Sequence, residues 1–220
     1  MNVDQPERSL SGQGATALPY SELPRNYHLW KWRVLLAFVG FYLFVYLGRF
    51  NLWPVAPLVK EDLNLTHVEL GLINALLLWG FGLGDLVHGR LAEAYGFRLW
   101  VLLGAVFTVV FNWITSFGTS ALSMAIPWGI NGFVNAACWA PAISMISQWW
   151  PRRDRGMAMG IVGTATGGAM LLMWWITGWV GIEFGWRYAF RYPPLLLLVL
   201  GLAFFFISRN RPADVGLPEY

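Results

Sequence analysis

VELGLINALLLWGFGLGDLVHGRLA, residues Val68 to Ala92, decides the fold. Its charged or titratable groups are Glu69, Asp85, His88 and Arg90, and only Asp85 lies deep within the apolar run. A hydrocarbon core about 30 Å thick is crossed by a helix of about 20 mainly apolar residues. A segment of this length with no strict alternation is too long for a barrel strand. In lipid the backbone then has only the α-helix to satisfy its N–H and C=O groups. Working outward, the same reading applies to five more stretches. The six spans expected are roughly Val34 to Val59, Val68 to Ala92, Leu99 to Phe117, Ala121 to Gln148, Gly156 to Gly181 and Trp186 to Ile207. They define a six-transmembrane-helix bundle over residues 33–208, with a polar segment at 1–32 and a polar tail at 209–220. The first stretch lacks the apolar core and small-residue cleavage site of a secretory signal.

Composition supports an all-α integral membrane protein. Of 220 residues, 57% are hydrophobic, 12% are charged and 14 are tryptophan. Mean hydropathy is +0.51. The charged share is about half that of a soluble domain. So few charges exclude a soluble enzyme, a disordered tail and a nucleic-acid binder. A lone cysteine, Cys138, excludes an internal disulfide framework and any CxxC metal site. No cofactor is expected, and the lipid bilayer is the first partner.

Lys and Arg set the orientation. Arg8, Arg25, Lys31 and Arg33 precede the first span, Arg90 and Arg98 follow the second, Arg152, Arg153 and Arg155 follow the fourth, and Arg209 and Arg211 follow the sixth. Only Lys60, Arg187 and Arg191 fall on the other side. The positive-inside rule places both termini in the cytoplasm of a bacterial inner membrane.

Intramembrane charge is costly and usually faces a cavity or a partner. Asp85 lies eight residues before Glu93, about 12 Å along a helix and near mid-depth. The other deep ionisable residue is Arg49. Tyr42, Tyr46, Arg49 and Trp53 are spaced +4, +3 and +4, which puts them on one helical face. Two phenols, a guanidinium and an indole suit a wet wall that accepts an anion. The alternatives for Arg49 are snorkelling to headgroups or pairing with Asp85. Asp85 itself either carries a proton or holds Arg49. Asn74, Leu78, Phe81, Asp85 and His88 share a second face, with His88 read as structural. Asn131 and Asn135, one turn apart, either bind a solute or tie helices together, and Trp139 is a candidate cavity wall. Gly80, Gly82 and Gly84, and the run Gly160, Gly163, Thr164, Gly167 and Gly168, read as close-packing faces.

Trp53 to Pro57 reads W-P-V-A-P and Trp139 to Ala142 reads W-A-P-A, about 86 residues apart, each in the first span of a three-span unit. Two three-span units have opposite orientations, which is the inverted-repeat logic of secondary transporters.

G-R-L-A-E-A-Y-G-F-R, Gly89 to Arg98, resembles the loop signature G-x-L-A-D-R-x-G-R-R of the major facilitator superfamily, with Glu93 for the usual Asp and Ala94 and Phe97 for basic residues. The resemblance implies that Gly89, Glu93, Gly96 and Arg98 form a tight cytoplasmic turn that gates the inward mouth. Y-L-F-V-Y-L-G-R-F-N (Tyr42 to Asn51), Q-W-W-P-R-R-D-R-G (Gln148 to Gly156) and R-N-R-P-A-D-V-G-L-P (Arg209 to Pro218) are similar to the organophosphate:phosphate antiporter branch, which includes glycerol-3-phosphate and hexose-phosphate transporters. The resemblance implies an anion site at Tyr42, Tyr46, Arg49, Asn135 and Trp139, with Asp85 as a proton-coupling or ion-pair group. Two positions depart from that branch. Asp85 stands where it carries Lys, and Thr166 where it carries His. These changes shift the expected solute from an organophosphate toward a monovalent organic anion such as a sugar acid, moved with protons.

The superfamily has two six-span halves with the substrate path between them, and this chain matches the first. The resemblance therefore implies a truncated N-terminal half, a self-dimerising half, or a half paired with a second six-helix half or a host membrane complex. The leading expectation is alternating-access transport of a small organic anion. The competing one is a non-transporting sensor or accessory subunit. An enzyme is excluded because Asp85 and His88 have no nucleophile or metal-ligand set beside them.

Overall fold

Two prolines decide where the spans break. Proline lacks an N–H, and its ring crowds the carbonyl four residues back. In this computed structural model, which describes residues 24–218, Pro54 stands four residues after Phe50. Helix α1 (Arg25–Arg49) ends just before that point and α2 (Leu52–Asp62) starts just after it. The corner is bridged by a tight turn in which Trp53 N donates to Phe50 O at 2.9 Å. The single span expected at Val34–Val59 is thus a kinked pair. It also begins earlier, at Arg25, because Tyr27 is buried and its hydroxyl donates to Trp149 O at 2.7 Å. Part of the segment expected to precede the bundle is therefore helix, while Arg8 lies outside the described residues.

Pro141 acts likewise in the fourth span. α5 (Ala121–Asn135) gives way to a 3₁₀ turn at Ala136–Cys138, with Trp139 N donating to Ala136 O at 3.0 Å, and α6 (Ala140–Trp149) resumes with Pro141 in its first turn. The remaining helices are α3 (His67–Tyr95), α4 (Phe97–Thr115), α7 (Arg155–Phe184), α8 (Trp186–Arg191) and α9 (Pro193–Ile207). Among the described residues, five stretches are long and apolar enough to cross a membrane: Arg25–Asp62, His67–Tyr95, Phe97–Thr115, Arg155–Phe184 and Trp186–Ile207. The sixth expected span is divided between α5 and α6 by its 3₁₀ turn. Laid end to end, Ala121–Trp149 still reaches about 40 Å, enough to cross.

The breaks between spans carry their own chemistry. α3 opens on a capping box in which Glu69 N donates to Thr66 Oγ1 (3.2 Å) and Thr66 N to Glu69 Oε2 (2.8 Å). It closes at Gly96, whose φ of +93° is open to glycine and strained for other residues. The α7–α8 junction repeats this: Tyr95-Gly96-Phe97-Arg98 is matched by Phe184-Gly185-Trp186-Arg187, and Gly185 has φ +96°. The same local device joins the second and third spans of each unit, as two repeated three-helix units require.

α1 runs through the centre, with Val34, Leu35, Phe38, Val45 and Leu47 fully buried, and packs on α7 and α9. α3 and α5 form the tightest crossing. A Cβ on Gly80 would strike Gly129 O, and one on Gly132 would strike Leu77 O, so backbone touches backbone. A Cβ added at Gly82, or at the α7 glycines Gly160, Gly163 and Gly167, would meet nothing within 4 Å, so the close packing expected of them is not made within the described residues. Only Gly168 of that run meets a neighbour, Leu43.

The arginine-rich breaks gather at one end of the bundle. Trp149 Nε1 donates to Arg209 O at 2.9 Å, and Arg98 Nε and Nη2 donate to Phe205 O at 2.9 and 2.6 Å. At the opposite end Arg187 Nη1 meets Asp62 Oδ2 at 2.7 Å, the one ion pair among the described residues.

Candidate functional site

The kink after α1 builds the site. A helix that stops inside a bilayer leaves carbonyls that need donors. Gly48 O receives two, Asn112 Nδ2 at 2.9 Å and Asn131 Nδ2 at 2.8 Å. Asn112 in turn accepts from Asn51 Nδ2 at 2.8 Å, and Asn51 also donates to Ala189 O at 3.1 Å. Asn135 Nδ2 donates to Thr108 Oγ1 at 3.1 Å. All five side chains are fully buried, so α1, the corner before α2, α4, α5 and α8 are laced together at the kink.

Arg49, the last residue of α1, sits on this network. Its Nε donates to Asn135 Oδ1. The two residues are 86 apart, the offset that separates Trp53 from Trp139 in the repeat. Equivalent positions of the two units, each directly before its helix break, therefore bond to one another. The guanidinium carbon lies 4.1 Å from the Phe81 ring centroid, 5.5 Å from Tyr46 and 5.9 Å from Phe50. Stacking on aromatic faces offsets part of the cost of burying this charge. Arg49 is only 5% exposed, and its Nη2 is buried with no hydrogen-bond partner among the described residues. One helical turn beyond Phe81, Asp85 Oδ1 is likewise buried and without a partner among the described residues. The ion pair between them, one of the two expected arrangements, is not formed among the described residues.

Tyr42, Tyr46 and Trp139 complete the wall. The Tyr42 and Trp139 rings are 4.9 Å apart and those of Tyr42 and Tyr46 5.9 Å. Trp53 does not continue this face because the kink intervenes. It stacks on Phe50 at 4.5 Å, and its Nε1 donates to Asn74 Oδ1 at 3.0 Å. His88 is held on both sides, its Nδ1 accepting from Trp100 Nε1 at 3.0 Å and its Nε2 donating to Phe133 O at 2.9 Å, which is the neutral tautomer in a structural role. Asn131 serves the helix kink.

At the basic end Gly96 makes the turn. Arg98 ties it to the end of α9 through Phe205 O, and Arg98 N donates to Asn210 Oδ1 at 3.0 Å. Asn210 N donates to Asp214 Oδ2 at 2.9 Å, which orders the tail. Glu93 is exposed, with no hydrogen bond or ion pair among the described residues, and Gly89 is uncrowded. The turn is fastened by Gly96, Arg98 and Asn210 rather than by Glu93. Asn51, Thr108, Asn112 and Asn210 escaped the sequence reading, although polar groups at bilayer depth are themselves a signal.

No three His, Cys, Asp or Glu side chains cluster as a metal site among the described residues. The arrangement instead offers a guanidinium caged by aromatic rings, its buried Nη2 unfilled, and one turn past Phe81 a carboxylate that forms no ion pair among the described residues. It can accept an anionic oxygen and exchange a proton nearby.

Comparison with known proteins agrees with this architecture. The chain is 27% identical over 197 residues to a probable hexose phosphate transport protein of Chlamydia pneumoniae, covering 88% of this chain and 43% of that protein. It is 26% identical over 200 residues to the membrane sensor protein UhpC of Salmonella typhimurium, covering 90% and 45%. The chain thus spans under half the length of these relatives. Its fold matches a crystal structure of a bacterial homolog of the human lysosomal transporter Spinster, inward-facing and unoccupied, with TM-score 0.69, 17% identity, and 83% and 44% of the two chains covered. The sequence profile of the Major Facilitator Superfamily matches residues 36–219. With that match over most of its length, the chain belongs to the major facilitator superfamily of membrane transporters.

Proposed function

We propose that this six-helix unit contributes half of an alternating-access carrier for a small organic anion, either a sugar phosphate or a sugar acid, in the bacterial inner membrane with both termini cytoplasmic. The observation that carries the reading is Arg49, a buried guanidinium at a helix kink with its Nη2 unfilled. The planar fork of Arg suits carboxylate and phosphate oxygens. Tyr42, Tyr46, Asn135 and Trp139 shape the rest of the site, and Asp85 takes up or releases the coupling proton. Gly96 and Arg98 form the hinge at the inward mouth, with Gly89 and Glu93 beside it.

A second six-helix unit faces this one, whether another copy, a separate half or the rest of a longer polypeptide. Trp79 and Leu86 on α3 and Leu171, Trp175 and Ile182 on α7 are all more than 70% exposed, and such a partner would share these faces with lipid. The test is uptake into proteoliposomes of the protein as expressed in its host, using labelled hexose phosphates and hexuronates. Saturable uptake that depends on Arg49 is the expected result. The UhpC relative motivates a second reading, a sensor that binds the same anion at Arg49. Saturable binding with no flux would establish that reading in place of the first.

A further inference from the structure

Two arginines converge on one tryptophan at the basic end of the bundle, away from Arg49. Arg33 lies nine residues before Tyr42, and at about 100° per residue it occupies the opposite face of α1 from the Tyr42, Tyr46 and Arg49 wall. Its guanidinium carbon lies 4.5 Å from the Trp30 ring centroid, and the Arg209 guanidinium approaches the same ring at 5.8 Å. Two cations, one from the first span and one from just after the last, thus converge on one indole. Asn26, Leu29, Trp30 and Arg33 line a cleft of about 190 Å³ beside it. Arg33 is exposed and makes no hydrogen bond or ion pair among the described residues. Arg209 spends one nitrogen, Nη1, on the carbonyls of Phe206 and Ser208.

The surface below this pair is apolar. Leu29 and Leu36 on the Arg33 side of α1, and Phe206 at the end of α9, are all more than half exposed. A ligand that fits has an anionic head at the guanidinium pair and alkyl chains that run along Leu36 and Phe206 toward the bilayer centre. We propose that Arg33, Trp30 and Arg209 form a headgroup site for an anionic phospholipid in the leaflet at the arginine-rich end of the bundle. Charge complementarity favours this occupant, because no acidic side chain pairs with either arginine among the described residues. Cationic side chains at a membrane surface attract anionic lipid, and tryptophan prefers the headgroup level.

The test is lipid retention by the detergent-purified protein, read by native mass spectrometry with phosphatidylglycerol or phosphatidylcholine added in turn. Wild type should retain phosphatidylglycerol preferentially. The double variant Arg33→Gln, Arg209→Gln should lose that preference, by on the order of 20-fold in affinity for two surface cations. Trp30→Leu, which leaves both charges in place, should lose part of it and serves where the double variant does not fold. Excess inorganic phosphate should leave phosphatidylglycerol bound. Equal retention of the two lipids by wild type, or a preference that survives both variants, would overturn the proposal. Displacement by inorganic phosphate would reassign the site to free anions.

Discussion

Replacing Asn112 by Leu probes the kink on which the whole site rests. The two side chains have the same number of non-hydrogen atoms and the same branching at Cγ, so the change removes hydrogen bonds and leaves no void. Four contacts disappear: those to Gly48 O, Thr108 O, Asn131 Oδ1 and Asn51 Nδ2. The loss is softened because Gly48 O keeps Asn131 Nδ2 and Asn51 Nδ2 keeps Ala189 O. Of the three contacts that join separate helices, Asn131 Oδ1 alone loses its one partner among the described residues. Interhelical hydrogen bonds in membranes average about 0.6 kcal/mol each, so three contribute about 2 kcal/mol, and a newly unpaired buried oxygen adds about 1 more. A destabilisation of about 2–3 kcal/mol is expected in a reversible SDS or thermal unfolding titration of the protein in mixed micelles. Asn112→Asp, which keeps the acceptor for Asn51 but loses the donor for Gly48, should not restore stability. An Asn112→Leu protein with an unchanged midpoint would show that the asparagine network is incidental to the kink.

Three further outcomes follow from the packing and the site. Gly132→Ala should destabilise by about 1–3 kcal/mol, because the new methyl meets Leu77 backbone and cannot be relieved by a rotamer change, whereas Gly82→Ala should be close to neutral in the same assay. Gly96→Ala forces a φ of +93° on a residue with a Cβ and should cost about 1–3 kcal/mol, and Gly185→Ala, at +96°, should behave alike. Asp85→Asn should preserve anion exchange in proteoliposomes while abolishing accumulation driven by a pH gradient, and unchanged pH-driven accumulation would remove Asp85 from the proton path.

The bundle was legible in the sequence because lipid leaves the backbone so few options. Apolar run lengths located the five stretches long and apolar enough to cross among the described residues, together with the divided pair α5 and α6, and the arginine pattern grouped the breaks that the structure brings together around Trp149 and Arg209. The kinks were less legible. Pro54 and Pro141 were visible as a repeated motif, but their consequence, a break on the N-terminal side of each proline, depends on which carbonyls find other donors. At the first break those donors are Asn112 and Asn131, both to Gly48 O. Asn112 is hard to read because a neutral amide in an apolar span stands out far less than a charge does. The convergence of Arg49, Tyr42, Tyr46, Asn135 and Trp139 was expected from face periodicity and family resemblance, while the stacking on Phe81 depends on how α3 crosses α1. The α7 glycine run misled because small residues permit close packing without saying whether a partner is present within the same chain.

The central claim is that the unfilled Nη2 of Arg49 receives the anionic group of the solute. Its most direct test is equilibrium binding of labelled hexose phosphate and hexuronate to purified wild-type protein and to Arg49→Lys, with the unfolding midpoint of each measured alongside. Lysine keeps the charge and loses the planar fork. The account predicts a fall in affinity on the order of 10- to 100-fold, the worth of a charge-assisted hydrogen bond of about 1.5–3 kcal/mol, with the fold retained. Equal affinity in the two folded proteins for whichever anion binds would contradict it.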